Sequence, residues 1–116
     1  MNLYHCMIDL KNDAQALNFA LAVEEWMEHL KSHGKIHRWQ LLRSKLNLAS
    51  DAHRDFILAV EVSGLDQLEA LFQHVCSSSD EVERLHSRVH GMIDTVEFGL
   101  YRLYPDPTRV ERAAIL

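Results

Sequence analysis

The sequence is poor in cysteine, proline, glycine and positive charge, and each shortage removes a class of function. Its two cysteines, Cys6 and Cys76, lack metal-type spacing. Both are expected to be buried free thiols, not a disulfide. Proline occurs only at Pro105 and Pro107, where it rules out helix and central strand. The four glycines form no phosphate-cradling loop. There is no Walker motif and no Ser-His-Asp order, so nucleotide chemistry is unsupported. The net charge of −5 argues against a nucleic-acid backbone as partner, and the densest basic stretch (Lys35, Arg38, Arg43, Lys45) is diluted by apolar neighbours. No apolar run approaches the roughly 20 residues of a membrane span; Phe19 to Val23 is followed at once by Glu24 and Glu25. The opening segment has no basic stretch leading into a long apolar one, and Asp9, Lys11 and Asp13 interrupt it. A cytoplasmic location with no membrane partner is therefore expected.

What is present is a pattern read twice: strand, long helix, strand, from Leu3 to Leu46 and again from Phe56 to Tyr104. In 116 residues, 47% hydrophobic and 25% charged, that is one ordinary globular domain. Leu3 to Leu10 alternates, with Tyr4, Cys6, Ile8 and Leu10 on one face against Leu3, His5, Met7 and Asp9. Asn12 or Asp13 can cap a helix whose stripe is Ala16, Phe19, Val23, Trp26 and Leu30, and Gly34 supplies the left-handed residue that ends it. Ile36 to Leu46 is a second strand and Asn47 to Arg54 a polar loop. Asp55 to Val62 is a third strand with Phe56, Leu58, Val60 and Val62 on one face.

Ser63 and Asp66 begin a second helix with Leu65, Leu68, Leu71, Phe72 and Val75 as its stripe. The Ser77-Ser78-Ser79-Asp80 run interrupts it, and Ser78 with Glu81 forms a capping box for a further helix through Val82, Leu85, Val89 and Ile93. The fourth strand is expected over Thr95 to Tyr104, with Val96, Phe98 and Leu100 opposite Glu97, Gly99 and Tyr101. Residues 1–104 thus form the domain and 105–116 a tail.

Two βαβ units interleave most simply as a ferredoxin-like α+β fold, a four-stranded antiparallel sheet with helices on one face. The clean apolar faces should pack under the helices. The other face carries His5, Met7, Ile57, Ala59, Glu61, Glu97, Gly99 and Tyr101, too apolar for water and too polar for a dry core, which suggests burial against a partner.

By element order, face pattern and the opening Tyr4-His5-Cys6-Met7-Ile8-Asp9-Leu10-Lys11, the chain resembles the dimeric α+β-barrel superfamily. That superfamily includes the stress-responsive barrel proteins and the antibiotic-biosynthesis-type monooxygenases. The resemblance implies a homodimer packed sheet against sheet through the open face. It also implies a pocket within the barrel or between sheet and helices, for a small organic molecule. Haem-degrading members use an Asn, a Trp and a His around the haem. Here Asn2, Asn12, Asn18 and Asn47 fall at a terminus, on the first helix or in loops, and no cofactor is expected.

Three sets of residues are candidates for chemistry. On the open face, His5 could be oriented by Glu61 beside the Tyr101 hydroxyl and shuttle protons, as in a cofactor-independent monooxygenase or isomerase; the plainer account is a polar cluster satisfied at a dimer interface. Trp39, in or near the helix–sheet cleft, and Met7 and Glu97 on the open face are candidate ligand contacts. Eight histidines raise the question of metal: His86 and His90, with Glu83, share one helical face, as do His29 and His33 with Glu25. The metalloprotease signature needs a Glu directly after the first His, where Ser87 and Leu30 stand, and such a pair on a polar face is usually solvated. Trp26, Met27 and Phe19 read as core. A regulatory or interaction module of ACT-like topology is the remaining alternative. The RNA-binding version of this topology lacks its stacking aromatics, because Ile57, Ala59 and Glu61 stand on the open face of the third strand.

Overall fold

The structure, a computed structural model, describes residues 1–76 and 79–105. Ser78 and the tail from Asp106 onward lie outside the described residues. The elements run β1 (Asn2–Leu10), a 3-10 turn (Asp13–Gln15), α1 (Ala16–Ser32), β2 (Arg38–Arg43), β3 (Phe56–Val62), α2 (Leu65–Val75), α3 (Asp80–His90) and β4 (Ile93–Arg102). The strands form one antiparallel sheet in the order β2-β3-β1-β4, and the helices cover one face. This is the ferredoxin-like α+β fold.

The alternation in β1 becomes register. Tyr4 stands opposite Val60 and Leu100, Cys6 opposite Leu58 and Phe98, and Ile8 opposite Phe56 and Val96. Directly opposed residues point to one face of an antiparallel sheet, so this set lies toward the helices. The core beneath them joins Ile8, Phe56, Leu58 and Val62 to Phe19, Val23, Trp26 and Leu30 of α1, Leu68 and Leu71 of α2, and Val82, Leu85 and Val89 of α3. The side chain of Asn12 accepts a bond from the Ala14 amide and starts the helical segment. Gly34, at φ 70°, takes the left-handed turn after α1. Glu25 accepts from Arg84 at 3.4 Å and Arg88 at 2.6 Å, tying α1 to α3.

Several elements differ from expectation. Ile93 opens β4 instead of closing α3, because it pairs with Leu10 of β1, and α3 ends at the Gly91 cap. The strand accordingly stops at Arg102. Strand β2 is shorter than Ile36–Leu46, keeping only the residues that pair with β3. Ser79 stands at the start of α3 with no side-chain cap bond. Cys76 is exposed, whereas Cys6 is buried; both are free. The largest difference concerns β4: Phe98 is 58% exposed and Leu100 48% exposed, although both face the helical side, because the helices stop short of this edge. Asn2, at the start of the chain, is buried and accepts a 2.7 Å bond from Arg102 Nε, closing β1 on β4.

Phe19 is fully buried and packs its ring 5.3 Å from that of Phe56. Replacing it with alanine is expected to lower the unfolding free energy by about 3–5 kcal/mol in urea titration. A loss below about 1 kcal/mol would show that α1 does not seal the core there.

Candidate functional site

Because the helices stop short of β4, a cleft opens between the layers. It has a volume of about 270 Å³. Its floor is Tyr4, Cys6 and Ile8 of β1, flanked by Leu58 and Val60 of β3 and by Val96 and Phe98 of β4. The helices supply Trp26, Met27 and Leu30 from α1, Leu71, Phe72 and Val75 from α2, and His86, Val89 and His90 from α3. Tyr4 stacks on Phe98 at 5.7 Å and meets Phe72 edge-on at 5.8 Å, so three aromatic rings frame one wall.

The cleft is nearly all apolar, and its few polar groups are held uncharged. Burial pushes the Cys6 thiol up to about 12, so it carries no thiolate at neutral pH and is not a nucleophile. Burial, reinforced by Cys6, also raises the Tyr4 hydroxyl to about 12. His86 and His90, whose rings lie 4.0 Å apart, both titrate below the ordinary histidine range. Burial is the main cause in each, and His90 adds to the effect on His86. Two neutral imidazoles therefore offer both donors and acceptors to whatever enters. Glu83 is exposed and lies outside the cleft lining, and it does not converge with His86 and His90 as a ligand set.

The open face brings together some of the other candidates. His5 and Tyr101 have ring centroids 5.3 Å apart, and Tyr101 lies across Gly99, where an added Cβ would sit 3.0 Å from its ring. Glu61 accepts two bonds from Arg38, at 2.9 and 3.0 Å, so its partner is the guanidinium of β2. Glu97 and Asp9 share Arg54, and Asp9 also accepts from the Asp55 amide at 2.9 Å, which anchors the β2–β3 connection. Met7 is half-buried between Ile57 and Glu97. Trp39 faces the helices but at the opposite edge from the cleft, donating to Glu28 of α1 at 2.9 Å; it does not line the cavity. Sequence pattern presents Tyr4, Phe72 and Phe98 only as members of the apolar core faces, not as the lining of a site. Their signal is an apolar face continued from β1 onto the edge strand β4 and met by the α2 stripe, which pattern alone does not mark as uncovered.

This architecture is that of dimeric ferredoxin-like proteins. Over 89% of the chain it matches a dimeric ferredoxin-like protein of unknown function from Thermobifida fusca, with 92% of that chain covered, 14% identity and a TM-score of 0.63. It matches SnoaB, a cofactor-independent oxygenase from Streptomyces nogalater, over 93% of this chain and 97% of that one, at 10% identity and TM-score 0.66. A NIPSNAP family protein from Agrobacterium tumefaciens matches over 93% and 98%, at 10% identity and TM-score 0.66. At these identities the likeness is one of fold. No curated protein matches the sequence. A family model described as a family of unknown function (DUF6614) matches residues 1–116; the chain belongs to that family. No helix among the described residues is long and apolar enough to cross a membrane.

Four partly desolvated histidines predict how stability follows pH. His29, His74, His86 and His90 all titrate below the ordinary 6.5, mainly because burial disfavours the charged ring. The unfolded chain therefore takes up protons first. Stability is complete above about pH 6.5 and is lost as pH falls from there toward the lower folded-state values. Urea midpoints measured from pH 7.5 to 5 should fall, and His86→Gln should flatten the slope. A midpoint constant over that window would mean these rings ionise freely in the fold.

Proposed function

We propose that the protein is a homodimer that binds a small, mainly apolar organic molecule in the helix–sheet cleft, with His86 and His90 as its polar handle. The cleft itself carries this reading. At about 270 Å³ it lies near the lower end of small-molecule sites, about 300–1,000 Å³, which favours a compact ligand of one or two rings. An apolar filler gains much by displacing water that finds few hydrogen bonds there. Dimerisation is supported by the open face, which sets half-buried His5, Met7 and Ile57 among charges already paired by Arg38 and Arg54, and by structural neighbours described as dimeric.

A second reading, turnover of the bound molecule, is favoured by the two neutral imidazoles on an apolar wall. A neutral ring nitrogen can accept the proton of an acidic hydroxyl, leaving the ligand as an anion. The shared fold of a cofactor-independent oxygenase is consistent with such chemistry. His5 and Tyr101 are the alternative proton-transfer pair. They lie on the open face, so that version requires the second subunit to enclose them.

Binding is tested with 1-anilinonaphthalene-8-sulfonate, whose fluorescence rises in apolar sites. About one dye per chain is expected, and Val96→Trp, which fills the cleft, should weaken binding about tenfold or more while the fold is retained. Unchanged dye binding would refute the cleft as the site and move weight to an interaction module. Sedimentation should show a dimer that Met7→Asp converts to monomer; a wild-type monomer at micromolar concentration would refute the sheet-to-sheet assembly.

A further inference from the structure

Outside the cleft, on the far side of Trp26, three histidines from two helices gather. His29 and His33 sit at the C-terminal end of α1, and His74 lies in the last turn of α2. His29 Nε2 and His74 Nε2 face each other at 3.1 Å. The ring centroids are 4.2 Å apart for His29 and His33, 5.3 Å for His29 and His74, and 5.6 Å for His33 and His74. Three imidazoles holding one tetrahedral ion through nitrogens at 2.0–2.1 Å have centroids about 5 Å apart. The triangle is already close to that size.

We propose that His29, His33 and His74 form a binding site for one divalent transition-metal ion of the zinc type where the ends of α1 and α2 meet. This site is independent of the cleft, whose lining includes none of the three.

The surroundings prepare the nitrogens for this role. His33 Nδ1 lies 2.8 Å from the His29 carbonyl oxygen. Only a protonated Nδ1 can donate there, which leaves Nε2 with its lone pair free. Glu81, from the first turn of α3, places a carboxylate oxygen 3.8 Å from His29 Nδ1, beyond hydrogen-bond distance but near enough to favour a proton on that side electrostatically. Carbonyl and carboxylate partners on the second nitrogen are the usual outer support of metal-bound histidine. The His29 side chain is only 9% exposed and stacks on Trp26 at 5.7 Å, so its ring is held in place. Lys35 bears on His74 and opposes a cation, while Glu81 favours one. Glu25, the acidic neighbour suggested by spacing, is taken by Arg84 and Arg88. Among the described residues no three such groups already converge on one point. Two nitrogens do, and the remaining adjustment falls on exposed His33, with water completing the coordination.

The test uses the untagged protein, purified without nickel and titrated with zinc chloride by native mass spectrometry and calorimetry. One zinc per chain is expected, with the His74 ring hydrogen moving from Nε2 to Nδ1 as the ion binds and protons released only from the fraction of rings that is charged at the working pH. His74→Ala and His33→Ala, each shown by melting to stay folded, should each weaken binding by about tenfold or more. The His86→Ala/His90→Ala double variant should bind as the wild type does. The proposal is overturned if the wild type takes up no zinc at about 100 µM, if His74→Ala leaves affinity unchanged, or if only the His86/His90 variant loses it, the last meaning that zinc binds in the cleft instead.

Discussion

The structure depends on the register at which β1 pairs with both neighbours, unbroken along β3 and shifted along β4 only between Asp9 and Leu10. Nine residues of β1 alternate between two environments that tolerate no exchange: Cys6, Ile8 and Leu10 in the core, and Leu3, His5, Met7 and Asp9 on the open face. A slip of one residue would place His5 and Asp9 under the helices and expel Ile8. Because β3 and β4 both read their register from β1, the cleft floor and the open face are two outcomes of one constraint. The Asn2–Arg102 bond at one end and the Asp9–Arg54–Glu97 cluster at the other pin that register by polar contacts that cannot be made in any other alignment.

The helical layer then decides what the sheet exposes. One long helix in place of α2 and α3 would have run on past Cys76. The break instead lets α3 turn and lie against α1, where Glu25 bridges Arg84 and Arg88. Surface ion pairs of this kind contribute modestly, so Val82, Leu85 and Val89 supply most of the attachment by burial. What α3 gains against α1 it gives up over β4. The uncovered strip of Phe98 and Leu100 and the cavity beside it follow from that placement.

This explains which parts were legible in the sequence. Alternation identifies strands and assigns each residue a face, and it did so correctly for β1, β3 and β4. It says which way Phe98 points but not whether anything lies above it, because coverage depends on how far a distant helix reaches. The same limit applies to Trp39: its face was evident, while its position at the β2 edge, bonded to Glu28, depends on sheet order. Cys76 continues an apolar stripe, yet it falls just past the end of α2 and is exposed. Ile93 kept the helical spacing of Val82 and Val89, and strand pairing with Leu10 overrode it. His74 was invisible as a partner of His29, since 45 positions separate them.

Trp26 shows how one packed side chain divides the chemistry of a small domain. Its ring stacks on His29, at 5.7 Å and 18°, and meets His86 edge-to-face at 5.9 Å and 71°. For His29 and His74 on one side and His86 and His90 on the other, desolvation disfavours the charged ring, but their surroundings differ. On the inner side His86 and His90 stand on an apolar wall, suited to a ligand that brings its own polar atom. On the outer side His29 and His74 point nitrogens at each other beside a carboxylate, suited to an ion that brings charge. The indole is buried to 4% exposure and is fixed by the same core that fixes β1. Both groups of imidazoles therefore take their positions from the sheet register, and a shift of Trp26 would disturb the two together.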